Sequence, residues 1–199
     1  MQSALPWVYL DNNATTPVDV RVVDAMLPFF REHFANPSSA HALGTASGEA
    51  VHAARGLVQA LLGAESEAEI IFTSGGSESN NTAILSALEV QPSRDEIVTS
   101  TVEHSSVLAV CDYLERTHRA VVHRMPVDKQ GRLNRDAYRI ALGKKTAVVS
   151  IQWANNETGV IFPVEQLAAE AHEAGALFHC DAVQAAGKVP LDVNQIRCD

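Results

Sequence analysis

The run Ala147-Val148-Val149-Ser150-Ile151-Gln152-Trp153 is mostly apolar and β-branched, and the polar group Asn155-Asn156-Glu157-Thr158-Gly159 follows it almost at once. An amphipathic stretch from Pro163 to Ala174 comes next. After it stands a second short apolar run, Leu177-Phe178-His179-Cys180, closed by Asp181. Short run, longer amphipathic stretch and short run again read as strand, helix and strand.

The same alternation extends toward the N-terminus. A helix is expected around Asn134 to Leu142, a strand from Ala120 to Met125, a helix from Ser105 to Thr117 and a strand from Ile97 to Ser100. Before these, Ile70-Ile71-Phe72-Thr73 reads as a strand, Ser74-Gly75-Gly76-Ser77 as a tight turn, and Glu78 to Leu88 as a helix. A long helix is expected from about Thr45 to Leu62, ended by Gly63. Asn36-Pro37-Ser38-Ser39 is a loop. Val20, Val23, Met26, Leu27 and Phe30 recur at helical spacing behind Pro17, a helix-start residue. Val8 to Leu10 reads as a short strand before the turn-prone Asp11-Asn12-Asn13. The pattern implies an α/β fold: a three-layer αβα arrangement with a mostly parallel sheet and helices on both faces. Ligands of such sheets bind outside the C-terminal ends of the strands. Polar clusters that directly follow strands are therefore the candidates for chemistry.

Composition narrows the function classes. Of 199 residues, 46% are hydrophobic and 20% charged, enough apolar surface for a packed core. The net charge of -9 and the absence of a basic tract argue against nucleic acid as a main partner. Met1 to Pro6 lacks the features of a signal peptide, and no apolar run approaches the ~20 residues that span a bilayer, so no membrane role is expected. Cys111, Cys180 and Cys198 show neither a disulfide framework nor a paired metal spacing. A reducing, cytoplasmic compartment and no metal site are the expectation.

Four clusters follow strands. Thr73-Ser74-Gly75-Gly76-Ser77-Glu78-Ser79-Asn80 combines glycines that allow close backbone approach with a helix start whose N–H groups suit an anion. The competing reading is an empty strand–helix turn with Ser77 as N-cap. Val102-Glu103-His104-Ser105-Ser106 places an imidazole at the same rim, able to stack on a flat ligand or move protons. A helix-start histidine without a partner is the plain alternative. Asn155-Asn156-Glu157-Thr158-Gly159 offers amides that both donate and accept, or simply turn chemistry. In His179-Cys180-Asp181-Ala182-Val183-Gln184, Asp181 ends a strand expected to be buried on both faces. An ionised carboxylate there needs a cation or several donors; a capping role is the alternative.

Taken together these segments resemble the cysteine desulfurases of the iron–sulfur-cluster type, in the class V aminotransferase group. The resemblance also rests on Tyr9-Leu10-Asp11-Asn12-Asn13-Ala14-Thr15-Thr16-Pro17, on Asn36-Pro37-Ser38-Ser39 and on His41, and it runs over nearly the whole chain. It implies the N-terminal part, residues 1–199, of the large domain of a fold type I pyridoxal 5'-phosphate (PLP) enzyme, with about 1–20 as an arm that starts the small-domain region. It implies a phosphate cup at Gly76 and Ser77, ring stacking and proton transfer by His104, and a ring-oxygen neighbour in Asn156. It further implies a pyridine-nitrogen partner in Asp181 and a ring-oxygen hydrogen bond from Gln184. The implied reaction removes sulfur from L-cysteine, releasing alanine and leaving a persulfide on an enzyme cysteine. Sulfur-acceptor or scaffold proteins and a homodimer are the implied partners.

The resemblance also implies a cofactor-holding lysine about two dozen residues beyond Asp181, and a nucleophilic cysteine further on. Lys129, Lys144, Lys145 and Lys188 do not stand in that lysine's setting, and the three cysteines do not inherit the nucleophile's role. The chain alone is therefore expected to be inactive, to bind PLP weakly and without a covalent bond, and to leave a sheet edge open. Two alternatives remain: a selenocysteine lyase or another class V aminotransferase, and a non-catalytic PLP-binding or partner protein.

Overall fold

The computed structural model describes residues 7–199. Met1–Pro6, read above as lacking a signal peptide, lie outside the described residues. The chain divides into two compact units, Met1–Val58 and Gln59–Asp199.

In the first unit, helix α1 spans Val20–Arg31 and helix α2 begins at Ala42 and runs through the unit boundary to Leu62. Asp19, not Pro17, sets the start of α1, because its carboxylate accepts the Arg21 N–H. Helix α2 starts three residues earlier than expected. His41 Nδ1 takes the Gly44 N–H at 3.2 Å and so caps the first turn. Gly44 itself lies so close to the 36–39 loop that a Cβ there would stand 2.3 Å from the Ser39 carbonyl oxygen. Val8 to Leu10 is exposed and forms no strand; the expectation there is corrected. A strand is stable only where a ladder takes up its N–H and C=O groups, and the four-stranded sheet does not include this segment.

The second unit holds that sheet. Strands β1 (Glu96–Ser100), β2 (Val121–Met125), β3 (Thr146–Gln152) and β4 (Leu177–Asp181) lie in the order β2-β1-β3-β4, and every pairing is parallel. Helices α3 (Gly76–Val90) and α4 (Ser105–Arg116) cover one face; α5 (Arg135–Ala141), α6 (Val164–Glu173) and α7 (Val193–Ile196) pack into the core on the other. Strand alternation divides the core accordingly. Ile97 and Val148 meet Ile84, Val107 and Leu114 of α3 and α4, whereas Val98, Val149 and Ile151 meet Tyr138, Phe162 and Leu167. All seven residues of β3 are buried. At roughly 1.5–3 kcal/mol per fully buried large aliphatic side chain, this central strand is where burial stabilises the unit most.

The expected strands and helices around this sheet stand within about three residues of their observed limits, except for one. Ile70-Ile71-Phe72-Thr73 takes an extended course but joins no ladder of the sheet, and Ile71 is 80% exposed. A 3-10 turn over Glu67–Glu69 leads into it, fixed by a reciprocal capping box between Ser66 and Glu69. Strand β4 stands at the edge of the sheet, where an open edge was expected, but only Phe178 and Asp181 of its five residues are buried, where burial on both faces was expected. Its edge is engaged at Phe178, whose N–H donates to the Asp199 carboxylate at 2.8 Å while the Asp199 N–H donates to the Phe178 carbonyl at 3.1 Å. The short helix α7, capped by Asp192, has no counterpart in the sequence reading.

Candidate active site

The site lies within the second unit, at the C-terminal ends of β1, β3 and β4. Asp181 closes β4 and is buried. Its Oδ2 accepts from Asn80 Nδ2 at 2.9 Å and its Oδ1 accepts from the Val183 N–H at 3.1 Å. No helix follows Asp181, so the helix-capping alternative is corrected: the Val183 bond closes a turn directly after the strand, and it uses one oxygen only. No cationic side chain pairs with Asp181 among the described residues. A buried carboxylate that meets only neutral donors is costly, so the arrangement favours a cationic ligand atom at this rim.

His104 is the N-cap of α4 and is exposed. Its Nδ1 accepts the Ser106 N–H at 3.2 Å and lies 2.8 Å from Ser106 Oγ. The histidine is thus not partnerless. Asn80 Nδ2 reaches the same Ser106 Oγ at 3.0 Å, so Asp181 and His104 belong to one hydrogen-bonded chain.

The glycine turn adjoins them. Helix α3 starts at Gly76, and its N-cap is Gly75 with no side-chain bond. The reading of Ser77 as N-cap is thereby corrected: Ser77 sits inside the first turn, exposed, because the glycines let the helix begin two residues earlier. First-turn N–H groups have no acceptor within the helix, which leaves Gly76 and Ser77 as donors facing out of α3. Ser74 donates its N–H and hydroxyl to Glu78 Oε2 at 2.7 and 2.5 Å, and these bonds hold the Glu78 carboxyl below the usual carboxylate range. An anion at this helix start would share it with that charge. A Cβ on Gly76 would stand 3.3 Å from Val183 Cγ2, which places the turn after β4 against the glycine turn.

The loop after β3 is built by Asn155. Its buried amide oxygen accepts from the N–H groups of Glu157 and Thr158 and from the Thr158 hydroxyl, and its Nδ2 donates to the Val102 carbonyl. This frame sets Asn156 half-buried on the loop, with Nδ2 donating to Glu157 Oε1 at 2.7 Å. Gln184, also half-buried, accepts from Lys188 Nζ. Lys144 and Lys145 precede β3 and so sit at the opposite end of the sheet.

Three residues of the site stood inside the clusters read from the sequence but were given no role of their own there: Asn80, Ser106 and Glu103. Glu103 is 6% exposed; its Oε1 accepts from the Ser100 hydroxyl at 2.5 Å and its Oε2 from the Gln152 N–H at 2.8 Å. Burial pushes its carboxyl up to about 8 against those two hydrogen bonds, and the Asp181 charge adds to the rise. Its place between two polar strand ends was the available signal. Burial pushes the Cys111 thiol up to about 11, and the Cys180 thiol is raised by its hydrogen bond with Cys198 and by burial, the same bond lowering Cys198, so neither Cys111 nor Cys180 is an activated thiol.

Residues 8–199 match the family model described as aminotransferase class-V. A cysteine desulfurase of Gluconacetobacter diazotrophicus is 63% identical over 192 residues, which are 96% of this chain and 48% of that protein. Among solved structures, one named NifS-like protein superposes with a TM-score of 0.92 at 37% identity, covering 96% of this chain and 53% of that one. Another, titled SspA in complex with cysteine, gives a TM-score of 0.89 at 35% identity over 96% of this chain and 55% of that one. The chain spans about half the length of the curated relatives it matches.

Proposed function

Because the chain belongs to the class-V aminotransferase family, we propose that it carries the cofactor-binding half of a PLP-dependent cysteine desulfurase. Residues 1–199 are then the N-terminal part of the large domain, with about 1–20 as an arm. The observation that carries the proposal is the buried Asp181 carboxylate, met among the described residues only by the neutral donors Asn80 and Val183 N–H. That is the environment a protonated pyridine nitrogen would complete, so the residues present fit the cofactor.

Bound PLP supplies a protonated aromatic ring that draws electron density from the substrate carbon. In this reading the chain's own residues bind and orient. Asp181 accepts the ring N–H and holds that proton, while Gly76 and Ser77 donate to the phosphate. His104 covers a ring face and exchanges protons at the substrate. Asn156 and Gln184 address the ring oxygen. L-cysteine as substrate is supported by the names of the relatives and by the cysteine in the similar structure's title. Sulfur-acceptor proteins, a homodimer and a cytoplasmic setting belong to the same proposal.

The test is alanine release from L-cysteine by the native protein that carries this chain, in the presence of PLP and a thiol. The proposal expects alanine and sulfur in equal amounts, and strong loss in the Asp181→Asn variant. Turnover of selenocysteine but not cysteine would move the reading to a lyase, and no alanine from either would sink it.

A further inference from the structure

Asn80 and Ser106 lie between the two groups assigned to the cofactor, and neither is itself a cofactor ligand. The donors in this cluster can be fixed one by one. The Asp181 carboxylate can only accept, so Asn80 Nδ2, 2.9 Å away, donates to it. The same nitrogen stands 3.0 Å from Ser106 Oγ. An amide nitrogen has two hydrogens and no free lone pair, so it donates there as well. Ser106 Oγ is therefore an acceptor toward Asn80, and it stands 2.8 Å from His104 Nδ1, a contact whose direction the ring tautomer sets. The Ser106 N–H donates to Nδ1, at 3.2 Å. A backbone N–H can only donate, so Nδ1 carries the lone pair, the Ser106 hydroxyl donates to it as well, and the proton of the neutral ring sits on Nε2.

We infer that Asn80 and Ser106 are positioning residues that tie His104 to Asp181 and fix His104 as the Nε2–H tautomer. The chain places a donor, not an acceptor, at the exposed ring nitrogen. Asn80 is buried and cannot exchange its partners for water, so the direction of donation does not reverse without displacing Asp181. The inference rests on the cofactor reading for its purpose, but its geometry stands without a cofactor.

The test is the ring nitrogen spectrum of His104 in the PLP-free chain, at a pH where its imidazole is neutral, with the signals assigned by His104→Gln. The wild-type chain is expected to show the Nε2–H form alone. Ser106→Ala shifts the Nδ1 signal and Ser106→Thr restores it. Asn80→Leu shifts it too, although Asn80 makes no hydrogen bond to His104. An Nδ1–H form in the wild type, or a His104 signal unmoved in both Ser106→Ala and Asn80→Leu, would overturn the inference. If Asn80→Leu does not fold, the Ser106 pair still decides. Expected spectra in a chain with no saturable PLP binding would sink the cofactor reading and leave this one standing.

Discussion

Replacing Glu103 by glutamine should remove a pH dependence that the wild-type chain shows. Glu103 is buried with no cation beside it among the described residues, and burial pushes its carboxyl up to about 8 from 4.5. Below about pH 4.5 the group is protonated folded and unfolded alike, so it contributes no slope. Between the two values the unfolded chain has released the proton and the folded chain keeps it. Stability then falls as pH rises, by up to about 1.4 kcal/mol per pH unit. Above about 8 the loss is complete. His179 works in the opposite direction at lower pH, because burial lowers its ring below 6.5 and unfolding below that value takes up a proton. The clean window is therefore pH 6.5 to 8. Across it the wild type should lose about 1.5 kcal/mol relative to Glu103→Gln. Urea titrations at several pH values, followed by fluorescence including the buried Trp153 and by circular dichroism, read this difference. Parallel pH profiles for the two proteins, or a wild type that gains on the variant as pH rises, would refute the reasoning.

Three further outcomes follow from particular contacts. Gly44→Ala drives a methyl into the Ser39 carbonyl oxygen, so it should disorder the 36–44 segment; amide exchange there should rise while the β1–β4 core stays protected. Tyr138→Phe leaves the Leu167 carbonyl without the buried phenol that donates to it at 2.7 Å, and should cost about 1–3 kcal/mol in urea unfolding. Borohydride reduction of this chain with PLP should give no single specific adduct by intact mass. A unique adduct at Lys188, the lysine bonded to Gln184, would contradict that.

The sheet was legible because its strands are short, β-branched and separated by helices of a different period. Each such segment can bury itself in only one way, and β1 to β4 emerged nearly as read. Ile70-Ile71-Phe72-Thr73 has the same local character, but strand formation depends on a neighbouring ladder, and local pattern does not report neighbours. The half-buried state of β4 was not read from its residues, since edge and centre strands differ in topology rather than in residue type; an open edge was expected only from the resemblance. At the site, His104, Asp181 and the glycine turn were visible as polar residues at strand ends. Asn80 was visible in the first cluster but its role was not, because that role comes from facing Asp181, 101 residues away in sequence. Glu103 was obscured by the neighbouring histidine. Its effect comes from burial, which a sequence pattern one residue from an exposed position does not disclose.

On the proposed function, Asp181, His104 and the Gly76–Ser77 turn form one PLP-binding surface. This is tested most directly by titrating PLP into the 199-residue chain and into its Asp181→Asn variant, with binding followed by cofactor absorbance and equilibrium dialysis. The account predicts saturable one-to-one binding by the wild type, weakened about tenfold or more in the variant, as expected for loss of a charged hydrogen-bond partner. Equal affinity of the two proteins, or no saturable binding by the wild type, would contradict it.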